Sequence, residues 1–399
     1  MLLIRPPVLN TLAATCAKSS PLSRFPTYTI PNSSFTLVRH AREGRSRSIT
    51  LKRRFSVSCT SQSDRAKVVF LGTPTVAASV LQQLFDVSET PNCPFEIAAV
   101  VSQPGRPKGR KRLITPSPVE ELALERGYPS DKIYTPIRAK ETEFLEAMAT
   151  IAPDLCITAA YGNMLPSAFL NIPKHGTLNI HPSLLPKYRG AAPVQRCLEA
   201  GEEESGVSVA YTVLACDAGP VLVQHQEEVP PNTTTPEYLD HLFNIGTKLL
   251  LKNMAEVLDG SAQSKAWEQD ESGVVHAPKV SKEEGKLDLL DPDTSAQSLH
   301  NKIRAFAGWP GTSTTLYIEE GEGKEDTPVA LKLLKSRVCH EYSEENLQVP
   351  RGIQLVEDEM HIPCQDGGVL AILELQKPGK GPCSPTAFFN GLRGRNVRL

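Results

Sequence analysis

The hydrophobic pattern along the chain changes character twice. Up to residue 60 no long apolar period exists. Then Lys67-Val-Val-Phe-Leu-Gly72 sets four apolar side chains in a row and stops on glycine, the pattern of a strand buried on both faces. Thr73-Pro74 follows, and Val76, Val80, Leu81 and Leu84 recur at helical spacing, so a helix starts there with proline in its first turn. Phe95–Val101 is a second apolar strand and runs into a basic loop, residues 103–112. Residues 154–159, 176–180 and 206–213 predict three further strands. Strands alternating with helices predict an α/β domain, a mainly parallel sheet covered on both faces, with ligands beyond the carboxyl ends of its strands.

Residues 236–258 form one helical segment, with Leu239, Leu242, Phe243, Leu249, Leu250, Met254 and Val257 on its apolar face and Gly260 as its stop. A polar stretch follows. From Leu316 onward only short strand-like runs remain (316–318, 329–334, 353–356 and 368–375), separated by Gly, Pro and acidic turns. They predict a small β-barrel of five or six strands. The organisation expected is therefore a leader (1–60), a first domain (66–262), a linker (263–285) and a second domain (286–399).

Charge sharpens the first boundary. The chain of 399 residues is net −2, but residues 1–60 hold ten Lys/Arg against a single acid, Glu43, which leaves the rest at −11. An Arg- and Ser/Thr-rich, acid-poor leader without a compact apolar core has the composition of an organelle transit peptide rather than a secretory signal. Arg53-Arg54-Phe55-Ser56 points to the mitochondrial matrix; the Ser/Thr richness equally fits a chloroplast, and a basic tail that binds nucleic acid is the plain alternative. No stretch approaches the ~20 apolar residues of a membrane helix, so no membrane partner is expected. The nine cysteines form no C-x-x-C pair, which argues for a reducing compartment and against a cysteine metal site.

Candidate chemistry is densest between residues 175 and 193. Asn179 and His181 stand two apart on a strand, hence on one face, and Pro182 ends the ladder. Asp217 closes a later strand. Taken as residues alone, the three are equally at home as turn formers or as a convergent polar site. As a site they lack a nucleophile: Ser183 has no G-x-S-x-G elbow around it and no metal spacing occurs nearby. Such a set serves direct acyl transfer between two bound substrates, with Asn179 and a protonated His181 on the oxyanion and Asp217 assisting removal of a proton from an amine. Cys216, beside Asp217, is expected to be a small buried thiol.

Asn179-x-His181-x-Ser-Leu-Leu-Pro186, with Asp-x-Gly at 217–219, resembles the signature of the formyltransferases that use 10-formyltetrahydrofolate. Phe70-Leu-Gly-Thr-Pro74, Gln103-Pro-x-Arg-Pro-x-Gly-Arg110, Tyr188-Arg-Gly-Ala-Ala-Pro-Val-Gln195, Lys279-Val-Ser-Lys-Glu-Glu284 and Trp309-Pro310 narrow the resemblance to the methionyl-tRNA formyltransferase family, over residues 66–399. Two positions depart from it: Thr75-Val76 stands where that family has Asp-Phe, and Cys216-Asp-Ala-Gly-Pro220 where it has Leu-Asp-x-Gly-Asp. The resemblance implies a Rossmann-like formyltransferase domain that binds folate, followed by an OB-like β-barrel that helps hold tRNA. It makes Asn179, His181 and Asp217 catalytic. It places Ala160, Tyr161, Gly162, Ser183, Leu184, Leu185 and Pro186 at the folate, and Arg106, Lys108, Arg110, Lys111 and Arg112 toward the tRNA acceptor end. The partners implied are the formyl donor and initiator methionyl-tRNA, for a monomer without a metal. The alternative substrate is a small amine such as an amino sugar.

Overall fold

The structure, a computed structural model, describes residues 65–109, 112–321, 323–339 and 352–399. The leader and two of the basic loop residues, Arg110 and Lys111, lie outside them. The elements up to Tyr211 are β1 (Ala66–Gly72), α1 (Thr75–Ser88), β2 (Phe95–Val101), β3 (Arg106–Lys108), β4 (Leu113–Thr115), α2 (Pro118–Glu125), β5 (Ile133–Tyr134), α3 (Thr142–Ile151), β6 (Leu155–Ala159), α4 (Ser167–Leu170), β7 (Thr177–His181), β8 (Arg189–Gly190), α5 (Pro193–Ala200) and β9 (Glu204–Tyr211). After them come β10 (Val221–Glu228), α6 (Thr235–Asp259), β11 (His276–Ala277), α7 (Ala296–Ala305), β12 (Thr312–Ile318), β13 (Thr327–Val338), β14 (Gln354–Val356), β15 (Glu359–Pro363), β16 (Val369–Gln376), β17 (Pro382–Cys383), α8 (Pro385–Asn390) and β18 (Val397–Arg398).

The first sheet runs β10-β9-β7-β6-β1-β2-β5, parallel from β7 to β5 and antiparallel at the β9 and β10 edge. The apolar run of β1 is explained by its central place. Val68 and Phe70 feed one core, Val69 and Leu71 the other, and all four are fully buried. The chain crosses from β1 outward to β2 and β5, then returns to the other side of β1 as β6. That reversal leaves a crevice beyond the carboxyl ends of β1 and β6, where open α/β sheets bind ligands. Helix α6 covers the sheet. It opens with a Thr234/Glu237 capping box and Pro236, buries Leu242, Phe243, Leu250, Met254 and Val257, and ends on Gly260 at φ +84°.

The second sheet is antiparallel, in the order β14-β15-β16-β13-β12-β18, with β17 paired to β16. Among the described residues it holds seven strands rather than five or six, and two helices that no apolar period announced, α7 and α8, cap its core through Leu299, Ile303 and Phe388. No described helix is long and apolar enough to cross a membrane.

Helix α7 also seats this sheet against the first domain. Its last residues, Ala305 and Phe306, belong to the first core, and Thr235 Oγ1 donates to the Ala305 carbonyl at 2.6 Å. His300 lies in the same seam, with Nδ1 2.9 Å from Ser336 Oγ and Nε2 3.4 Å from the Pro231 carbonyl. Burial holds its pKa below the ordinary 6.5; the Pro231 carbonyl opposes this and the Arg304 charge reinforces it. A histidine depressed in the folded state takes up its proton on unfolding, so its stability contribution is full above pH ~6.5 and declines as pH falls toward the depressed value. The Tm of the protein should therefore drop between pH 7.5 and 5. His300→Gln, which keeps hydrogen-bonding atoms and cannot titrate, should flatten that slope; an unchanged slope would remove His300 as its source.

Candidate active site

Strand β7 carries Asn179 and His181 to the carboxyl edge of the sheet. In register, Asn179 lies opposite Thr158 of β6 and Ala210 of β9, and His181 opposite Ser208. Thr158 Oγ1 donates to Asn179 Oδ1 at 2.8 Å, which turns the amide so that Nδ2 faces Asp217 Oδ1 at 3.5 Å. His181 is 4 % exposed. Its Nε2 sits 3.0 Å from the Tyr188 carbonyl, an acceptor only, so Nε2 carries the hydrogen and Nδ1 is the nitrogen that looks toward Asp217 Oδ1, 3.8 Å away.

Asp217 arrives from the loop between β9 and β10. That loop is pinched by Tyr211 N–H donating to the Pro220 carbonyl, and Asp217 itself adopts a left-handed φ of +49°. Its Oδ2 accepts the Gly190 amide at 2.9 Å, which leaves Oδ1 aimed between Asn179 and His181. The result is one carboxylate oxygen facing an amide N–H and an imidazole nitrogen, at the outer edge of hydrogen-bonding distance from one and just beyond it from the other. The arrangement can stabilise an oxyanion and accept a proton within a single cluster.

A family profile described as "Formyl transferase" matches residues 66–254, and one described as "Formyl transferase, C-terminal domain" matches residues 279–393. A methionyl-tRNA formyltransferase of Marinobacter nauticus is 40% identical over 333 residues, 84% of this chain and 98% of the relative. That of Clostridioides difficile is 34% identical, over 79% and 93%. The chain belongs to the formyl transferase family. Among solved structures, the sugar 3N-formyl transferase WlaRD, determined in the presence of dTDP and 5-N-formyl-THF, shares this formyl transferase's fold. Its TM-score is 0.53 at 17% identity, covering 79% of this chain and 99% of that one.

The remaining expected residues of this formyl transferase lie in the segments that follow β6 and β7 and in the basic loop. Ala160 is exposed with φ +46°, and the Tyr161 carbonyl accepts Thr73 Oγ1 at 2.8 Å and Gln103 Nε2 at 3.2 Å. These contacts tie together the loops beyond β1, β2 and β6. Tyr161 packs in a buried core, and a Cβ on Gly162 would lie 2.6 Å from Gln103 Nε2. A tight, polar backbone cradle fits a flat, hydrogen-bonding ring such as a pterin.

Residues 183–186 behave differently. Ser183 is fully buried, with its hydroxyl donating to the Lys187 carbonyl at 2.7 Å, and Leu185 packs on Ala210 and Val221. The side chains of Ser183 and Leu185 are spent on folding the turn after β7.

The expectation for Cys216 changes, while the basic loop gains a defined shape. The basic loop contains a hairpin, β3 paired antiparallel with β4, which presents Arg106, Lys108 and Arg112 outward beside the exposed Leu113 and Ile114. Cys216 is exposed rather than buried, its Sγ 3.4 Å from Asp217 Oδ2. Partial desolvation, then the Asp217 carboxylate, pushes its thiol up to about 11, so it is a neutral thiol at pH 7 and no nucleophile.

Sequence reasoning did not single out Thr158, Gln269 or the hollow of about 320 Å³ around Trp309, Lys282, Lys286 and Lys332. In the second sheet, Cys339, Glu359 and His361 bring ligand-type atoms within 4.8 Å of one another, but Glu359 spends both oxygens on Arg337, at 3.0 and 2.7 Å.

Proposed function

We propose that this chain transfers the formyl group of 10-formyltetrahydrofolate to the amino group of initiator methionyl-tRNA. The observation that carries the reading is the convergence of Asn179, His181 and Asp217 at the carboxyl end of β7, in a chain 34–40% identical to methionyl-tRNA formyltransferases across both domains. The folate supplies an activated N-formyl group. Asn179 Nδ2 and His181 Nδ1, when protonated, donate to the oxygen that becomes negative as the amine adds to the formyl carbon. Asp217 Oδ1 takes the amine proton, and Gly190 keeps the carboxylate turned to it; as the oxyanion collapses, the bond between the formyl carbon and the folate nitrogen breaks and that nitrogen takes up a proton, so that tetrahydrofolate leaves. At 3.5 and 3.8 Å the two nitrogens stand close enough to Asp217 Oδ1 to act on the same bound substrate.

For the tRNA, the basic hairpin and the hollow around Trp309 supply local positive charge on an otherwise acidic body. Trp309 is 48 % exposed, and Lys282, Lys286 and Lys332 have no carboxylate partner among the described residues. Lysines around an exposed indole suit a phosphate backbone with a base to stack. Purified protein should formylate methionyl-tRNA with the folate donor, and no formyl-methionyl-tRNA would sink the reading. In K282A/K286A/K332A, the slope of log affinity against log salt should shrink by about one for each lysine that meets a phosphate. An unchanged slope would move the tRNA off this face. We read the chain as a monomer without a membrane partner, and light scattering should then return a single species of monomer mass. Residues 1–60 we read as the leader of a mitochondrial matrix protein, and the location of a fluorescent fusion of this segment tests that address.

A further inference from the structure

The segment that joins the two sheets is stitched to the loop that carries Asp217. Trp267 and Val221 exchange backbone hydrogen bonds at 2.8 and 3.0 Å, and β11 pairs in parallel with β8. Between these two seams lies Gln269, 9 % exposed. Its Nε2 donates to the Asp217 carbonyl at 2.8 Å and to the Gly219 carbonyl at 2.7 Å, while its Oε1 accepts Arg189 Nε at 2.9 Å. The amide orientation is not open to reversal, because Arg189 is a donor only and the two carbonyls are acceptors only. Arg189 is itself buried and is held by Glu271 through two hydrogen bonds, at 3.2 and 2.9 Å.

Asp217 is therefore gripped at both ends from the same two-residue strand. The Gly190 amide holds the carboxylate, and the Arg189 side chain holds the glutamine that holds the Asp217 carbonyl. A non-glycine residue at φ +49° persists when its surroundings over-determine it, and a buried amide spanning two carbonyls of the loop does this. We propose that Gln269 is a positioning residue for formyl transfer: it fixes the Asp217 backbone so that Oδ1 faces Asn179 and His181, with Arg189 and Glu271 holding Gln269 in turn. The inference rests on the function proposed above. It makes the segment between the domains part of the catalytic apparatus, through a glutamine that meets Asp217 only at its backbone carbonyl.

The test compares Gln269→Glu and Glu271→Ala with the parent in the full chain. Gln269→Glu keeps the contact with Arg189 and sets an acceptor against two carbonyls; kcat should fall by about 10- to 100-fold, with KM for methionyl-tRNA within about twofold. Glu271 is exposed, but it is the carboxylate that holds the buried Arg189, so its removal loosens Arg189 and with it Gln269 without changing either residue; kcat should fall by roughly 3- to 10-fold, again at constant KM. Amide exchange in residues 215–219 should quicken in both variants. The inference is overturned if kcat stays within twofold of the parent in both, if the loss appears in KM alone, or if exchange in that loop is unchanged. A Gln269→Glu chain that does not fold leaves Glu271→Ala to decide. A parent that formylates no methionyl-tRNA would sink the proposed function, and the exchange measurement would still test the clamp.

Discussion

Asp217→Asn should lower kcat for formylation of methionyl-tRNA by about 10²–10⁴-fold while leaving KM within a few fold. The carboxylate has two jobs on its two oxygens. Oδ2 accepts the Gly190 amide at 2.9 Å, and Oδ1 faces Asn179 Nδ2 and His181 Nδ1 at 3.5 and 3.8 Å. An asparagine has one acceptor and one donor for positions that both want an acceptor. Whichever way its amide turns, a donor meets a donor, and the group that takes the amine proton is gone. Single-turnover formylation with labelled donor measures the loss. A rate within about threefold of the parent would show that the proton leaves by another route and that Asp217 only shapes the turn.

Gly219→Ala should cost both stability and rate, two residues from the same carboxylate. A Cβ there would stand 1.8 Å from the Tyr211 carbonyl oxygen, far inside any real contact, and because the atom it meets is backbone no side-chain rotation relieves the clash. The pinch between Tyr211 and Pro220 must open, with an expected loss of about 2–4 kcal/mol. That corresponds to a Tm lower by roughly 5–15 °C. Because the same movement carries Asp217 away from His181, kcat should fall by about 100-fold even below the new Tm. Gly381→Ala is the control, since a Cβ at that position meets nothing within 4 Å, and its Tm and kcat should stay at parental values. Equal behaviour of the two variants would show that the loop yields more easily than its geometry implies.

The central strands were legible because their signal is local. β2 spans the residues its apolar run predicts, and β1 differs by one residue at its start. Helix α6 extends one residue beyond the predicted span at each end, since a capping box and a left-handed glycine mark both termini. Helices α7 and α8 went unread. Each is short, and its apolar residues face a core assembled from strands far along the chain, so no period of its own stands out. Exposed Cys216 was misread for a related reason: beside an apolar strand a cysteine resembles core, and only the turn that lifts Asp217 decides which way it faces.

Spacing alone was enough to put Asn179 and His181 on one face of one strand and to end that strand at Pro182, because a strand's period of two is a property of the backbone. The same local rules separated a basic leader from an acidic body. What no local rule reaches is the meeting of Asn179 with Asp217 across 38 positions, or of Asp217 with Gln269 across 52. Those contacts depend on the order in which strands join the sheet and on where the segment between the domains is stitched back to it. Loops closed over such distances leave no periodic trace in the chain; their cost is met by the packing of whole elements. The residue types were therefore readable from the sequence, while the working geometry, with one carboxylate oxygen tethered and the other aimed, exists only in the assembled fold.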